Sequence, residues 1–151
     1  MAVMRIYLPL TTEDRAALES SAPGLELAAG RAVWGVHAEA RADRSEEDEE
    51  DLEYDALQDA AHISLLAGPA DRRALVIAAD VLDAALEIAG DNGGAFGLVT
   101  GGATRARVAS FHVTELDAAA AAADDTDPAL LWFDASEGPD ALTYVDGVTE
   151  T

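Results

Sequence analysis

The densest chemistry in this sequence is Ser45-Glu46-Glu47-Asp48-Glu49-Glu50-Asp51. Six adjacent carboxylates can hold a cation or dock a basic surface. They can equally form the charged first turn of a helix behind an N-cap at Ser45, where carboxylates complement the helix dipole. Ser45 and Asp48 have capping-box spacing. The stretch lacks the alternating oxygen ligands and the glycine of an EF-hand loop. The first expectation is therefore a solvated helix start, and the second is a docking surface for a basic protein.

The other reactive side chains are sparse. No His-x-x-x-His spacing links any two of His37, His62 and His112, so no zinc site is read from them. Asp59 and His62, three apart on a helix, make a surface pair. Ser110 and His112 lie two apart on a strand and share a face. No serine stands in a Gly-x-Ser-x-Gly elbow, so this pair reads as a side-chain ladder rather than a nucleophile and its base. The glycine-rich segment Gly90 to Gly102 carries neither Gly-x-Gly-x-x-Gly spacing nor a Gly-Lys-Thr ending. It reads as a loop, with at most a short strand at Phe96 to Val99. Asp125 and Asp127 simply end an alanine helix. Arg72-Arg73 and Arg105/Arg107 flank two strands; if those strands pair, the arginines and His112 form an anion-site candidate, with ordinary edge charges as the alternative.

Composition narrows the field further. The chain has 151 residues and a formal net charge of -21, with nine basic residues, all arginine, and thirty acidic ones. Such a charge argues against neutralising nucleic-acid phosphates and against anionic membrane surfaces. With no cysteine, disulfides, thiolate metal sites and cysteine nucleophiles are excluded. The absence of lysine fits a GC-rich codon bias or adaptation to high salt. No run approaches the roughly 20 apolar residues of a membrane span, and the start does not read as a signal peptide. A cytoplasmic protein of one domain, 1–151, is expected, with 1–3 as an extension and 138–151 as a polar tail that holds at most a short edge strand at Leu142 to Val145.

These residues must be positioned by a small set of elements. Apolar β-prone runs predict strands at Met4 to Leu8, Arg31 to His37, Arg73 to Ala79, Arg107 to Val113 and Leu130 to Phe133. In the fourth, alternation puts Val108, Ser110 and His112 on one side and Ala109, Phe111 and Val113 on the other. Thr11 with Asp14, and Thr114 with Asp117, read as helix caps. Ser45 to Ala67 reads as the longest helix, stopped by Gly68-Pro69. Asp80 to Ala89 has partly helical periodicity. The order predicts an α/β (α+β) two-layer sandwich, a mixed sheet of about five strands with two or three helices, ferredoxin-like from Arg31 onward.

Five segments carry a resemblance: Met4 to Pro9, Asp51 to Leu57, Arg72 to Val81, Val108 to Val113 and Leu130 to Phe133. Together they resemble a family of short uncharacterised actinobacterial proteins, in which Met4 is the usual start. The resemblance implies no activity and transfers no site residue. With no catalytic constellation, cofactor motif or metal motif in view, the leading expectation is a non-enzymatic acidic protein. It would act through protein–protein interaction, docking a basic partner on Glu46, Glu47, Asp48, Glu49, Glu50 and Asp51. The alternative is a small enzyme or ligand-binding domain with an anion site near Arg72, Arg105 and His112, joined by Arg73 and Arg107.

Overall fold

The computed structural model describes residues 2–92, 94–124 and 127–147. One antiparallel sheet of eight strands organises them. The strands are β1 (Val3–Pro9), β2 (Gly24–Leu27), β3 (Ala32–Gly35), β4 (Leu75–Leu82), β5 (Leu86–Ile88), β6 (Gly97–Thr100), β7 (Thr104–Thr114) and β8 (Leu130–Asp134). The helices are α1 (Arg15–Glu19), α2 (Ala38–Asp43), α3 (Glu49–Ala67), α4 (Ala118–Ala122) and α5 (Gly138–Val145). This corrects the expected mixed five-stranded sandwich with two or three helices, since every strand neighbour is antiparallel.

The strand order is β2-β7-β4-β1-β3-β6-β5, and β8 also pairs with β7. β2 ladders the first part of β7 and β8 its last part. The ferredoxin-like reading fails because β1 separates β3 from β4. Those two strands run in the same direction, which their helical connection allows, but they are not neighbours. Val3 pairs with Leu82, so the expected extension at 1–3 reaches into the sheet.

Alternation along the central strands buries both faces. Ile6, Leu8, Val33, Leu75, Ile77 and Phe111 share one cluster with Leu18 of α1 and Leu142 and Val145 of α5. Tyr7, Trp34, Val76 and Ala78 share the other with Leu52, Ala56 and Ala60 of α3. Three layers result instead of the expected two. The alanines bring α3 close to the sheet, and each fully buried Leu, Val or Phe contributes roughly 1.5–3 kcal/mol.

The sheet must also curl. β2 and β3 are four strand spacings apart in the order, roughly 19 Å if flat. Their link from Leu27 to Ala32 reaches at most about 18 Å when extended, and Gly30 bends it further with φ 81°. Leu25, Leu27, Val33 and Leu98 accordingly meet in one core cluster. Thr100 pins the turn: its Oγ1 donates to the Ala28 carbonyl at 2.7 Å and accepts from the Arg31 N–H at 2.8 Å.

A bulge in β7 changes its faces. Ala78 pairs with Ser110, but Ala79 pairs with Val108. Ala109 is the extra residue, so alternation restarts across it. Val108 therefore joins Phe111 and Val113 in the first core cluster, not Ser110 and His112 as simple alternation predicted.

Several local expectations shift. Asp48, not Ser45, occupies the N-cap of α3. Asp117, not Thr114, caps α4, accepting from the Ala120 N–H at 2.9 Å. The partly helical segment after Asp80 is the end of β4, a 3-10 turn and β5. The expected polar tail contains α5, with proline in its first turn, where a missing N–H costs nothing. Residues 148–151 of that tail lie outside the described residues.

α5 lies very close to α1. A Cβ on Gly138 would sit 2.4 Å from the Leu18 carbonyl oxygen. Gly138→Ala is therefore expected to force the two helices apart and to cost about 1–3 kcal/mol. Urea unfolding reads this as a lower midpoint, and an unchanged midpoint would refute so close a contact.

Candidate functional site

α2 and the start of α3 assemble the acidic surface. α2 begins at His37, whose Nδ1 accepts from the Ala40 N–H at 3.2 Å. Its Nε2–H then donates to the Ala95 carbonyl at 3.0 Å. Both ring nitrogens are committed to backbone, so His37 is a helix cap and loop tie.

Two arginines of this region reach the acidic run. Arg41 donates to Glu49, at 2.6 Å for its shortest contact. Arg44 donates to Glu47 and Asp55 and lies 5.4 Å from the centre of the Phe96 ring. Hydrogen bonds from these guanidiniums hold the Glu47 and Glu49 carboxyls below the usual range. Glu46, Asp48, Glu50 and Asp51 are exposed and have no ion-pair partner among the described residues.

Beside this surface opens a cleft of about 650 Å³. Arg5 and Asp80, neighbours on β1 and β4, form an ion pair at 2.7 Å on its wall. The Arg41–Glu49 pair lines it as well, together with Glu53 and Asp83. Neither of these last two carboxylates is ion-paired among the described residues. Val3, Met4, Val36, Leu86 and Leu98 give the cleft an apolar wall. Both arginines are already matched, so the charge left over is negative. A cleft with greasy sides and spare carboxylates fits a cation on an aliphatic stem. Deeper under α3, burial and then the nearby Glu53 carboxylate push the Tyr7 phenol up to about 12.

The five residues of the expected anion site do not converge. Arg73 donates to the carbonyls of Glu115 and Tyr144 and covers the Tyr144 ring at 4.4 Å. Arg72 lies beside it, among Asp71, Glu115, Asp117 and Asp146. Arg105 pairs with Glu26 at 3.2 Å, at the opposite end of β7. From Arg107 to Thr114 the strand runs roughly 23 Å. His112 sits between, with Ser110 Oγ 3.0 Å from its Nε2. Burial foremost, and then the Arg5 charge, push this imidazole down to about 4. It is neutral at neutral pH and shares a hydrogen bond with Ser110. The shared face expected for Ser110 and His112 is real, but neither residue lines the cleft.

His62 lies 3.9 Å from Asp127; Asp59 sits under Gly94 and also interacts electrostatically with His62, its expected partner. Asp125 and Gly93, in the expected helix end and glycine loop, lie outside the described residues. Among the described residues no group of three or more His, Cys, Asp or Glu is placed to hold a metal ion. No helix among them is long and apolar enough to cross a membrane.

The cleft residues Arg5, Arg41, Glu53, Asp80 and Asp83 were not singled out from sequence. Their signal was a charge inside an apolar strand: Arg5 between Met4 and Ile6, and Asp80 between Ala79 and Val81. Two opposite charges interrupting two strands mark a pair across the ladder.

Fold and cleft together define an α+β protein with one curled antiparallel sheet and a negatively charged cleft. The chain belongs to a family of unknown function, DUF6912, whose family model matches residues 4–148. No curated protein and no solved structure matches it.

Proposed function

We propose that this is a non-enzymatic binding protein of the actinobacterial cytoplasm that captures a basic protein partner on its acidic face. The observation that carries the reading is the cleft of about 650 Å³ beside the start of α3, in which Arg5 and Arg41 are already ion-paired and Glu53 and Asp83 are not. An arginine or lysine of the partner places its stem on the apolar wall and its cation among these carboxylates. Glu46, Asp48, Glu50 and Asp51 are exposed around Glu49, which lines the cleft. The net charge of -21 steers such a partner in and repels nucleic acid and anionic lipid.

The test is a titration of a fluorescent polyarginine peptide at low and raised salt. Binding is expected to weaken steeply with salt. Neutralising Glu46, Asp48, Glu50 and Asp51 together, as Gln or Asn, is expected to weaken it about tenfold. The Asp48 side chain makes no capping hydrogen bond, so Asp48→Asn leaves the helix start intact. Binding indifferent to both salt and these substitutions would refute the reading.

A further inference from the structure

Among the described residues one backbone edge of β8 is unpaired. Glu115 N–H donates to the Ala129 carbonyl at 3.0 Å, which sets the alternation along the β7–β8 ladder. Leu131 and Phe133 turn their N–H and C=O groups toward β7, and Leu130, Trp132 and Asp134 turn theirs away. The Asp134 N–H is taken by Glu137 Oε1 at 3.0 Å. The outward groups of Leu130 and Trp132 have no partner among the described residues.

The side chains beside this edge suit an added strand. Trp132 is 62% exposed and stands opposite His112. Tyr54 of α3 is 49% exposed, and Gln58 joins its hydroxyl to the Pro128 carbonyl just ahead of β8. Large exposed aromatics next to free backbone groups are the means by which an edge strand recruits an extended segment. The charges flanking the strand select the occupant. Asp127, Asp134 and Glu137 are acidic, and no arginine is ion-paired to any of them among the described residues. A second copy of this chain brings another charge of -21, whereas a basic segment is attracted and can stack a guanidinium on the Trp132 ring.

We propose that the outer edge of β8 accepts an extended basic segment of a partner protein as an additional antiparallel strand centred on Trp132. This rests on the acidic-face reading and gives it a second contact with the same partner chemistry. The probe is a short synthetic peptide of alternating arginine and valine. Its controls are the same peptide N-methylated along one backbone edge and a glutamate–valine analogue.

Amide hydrogen exchange by NMR is the readout. In the free chain Leu130 and Trp132 are expected to exchange fast while Leu131 and Phe133 are protected. Saturating basic peptide should slow Leu130 and Trp132 at least about tenfold. The N-methylated and glutamate peptides should not do so, and Trp132→Ala should weaken binding about tenfold. Salt-sensitive peptide binding that leaves these two amides fast would overturn the β8 proposal and leave the acidic-face reading standing. No binding at low salt would overturn both. Equal protection by the glutamate peptide, or concentration-dependent protection in the free chain, would overturn the basic occupant, the latter in favour of a second copy.

Discussion

Asp14→Ala is expected to destabilise the fold by about 3–5 kcal/mol, the largest loss among single charge deletions in this chain. Asp14 is only 3% exposed and holds the Arg31 guanidinium through both carboxylate oxygens, at 2.8 and 3.2 Å. It also accepts the Thr11 N–H at 2.9 Å, and Arg31 donates to the Pro9 carbonyl at 2.9 Å. Removing the carboxylate strands a largely buried cation and an N–H at once. It also loosens the link between the start of α1 and the β2–β3 turn, on which the curl of the sheet depends. Urea unfolding measures the loss. A combined Asp14→Ala, Arg31→Met variant should recover much of it, because an apolar replacement for both partners removes the orphaned charge. Exposed Arg105–Glu26 is the contrast, where deletion should cost under about 1 kcal/mol. A loss of similar size at both sites would refute the argument from burial.

The second large effect is a dependence on pH centred on His112. Folded, its imidazole is pushed down to about 4; unfolded, it returns to about 6.5. Between these values the unfolded chain binds a proton that the folded chain refuses. Stability should therefore be unaffected by this group above about pH 6.5. It should fall as pH drops through the window and level off below about pH 4, for a total of roughly 3 kcal/mol. The lowered carboxyls Glu47, Glu49, Asp134 and Asp146 lose their contribution at the acid end of the range. The upper part of the window thus belongs to the histidine. His112→Gln stays neutral throughout, so its stability should be nearly flat from pH 6.5 to about 5. The same slope in both chains would refute the assignment.

The sequence carried the elements marked by an apolar run or a plain cap and lost those without one, for physical reasons. β1, β4, β7, β8 and α3 announce themselves because each has enough apolar positions to show a period. β2 contains Gly24-Leu25-Glu26-Leu27, only two apolar residues, and its first residue belongs to Pro23-Gly24, which reads as a turn. α2, Ala38–Asp43, has no apolar face, and its cap is a histidine. α5 was hidden because Gly138-Pro139 reads as a break, although proline is well suited to a first turn. The bulge at Ala109 left no local mark, and it moved Val108 to the other face.

The candidate site was legible in the same uneven way. The acidic run is plain, but Arg41 and Arg44 neutralise part of it across a turn that spacing did not show. The arginines flanking β4 and β7 looked like one cluster. The antiparallel register instead puts Arg73 near Thr114, at one end of the ladder, and Arg107 opposite Asp80, at the other. Strand neighbours alone do not reveal which ends meet.

The place of β1 in the sheet has a consequence for how the chain is made. β1 lies between β3 and β4, so the first strand of this sheet finds one neighbour only when residues 32–35 emerge and the other only with residues 75–82. β7, which pairs with β4, follows from residue 104. Until then Ile6 and Leu8 have no closed core to enter. Pairings across such long separations close slowly, so the nascent chain carries an unfinished sheet until β7 has emerged. Its surplus of negative charge then keeps neighbouring nascent chains apart while the sheet waits for its middle to close.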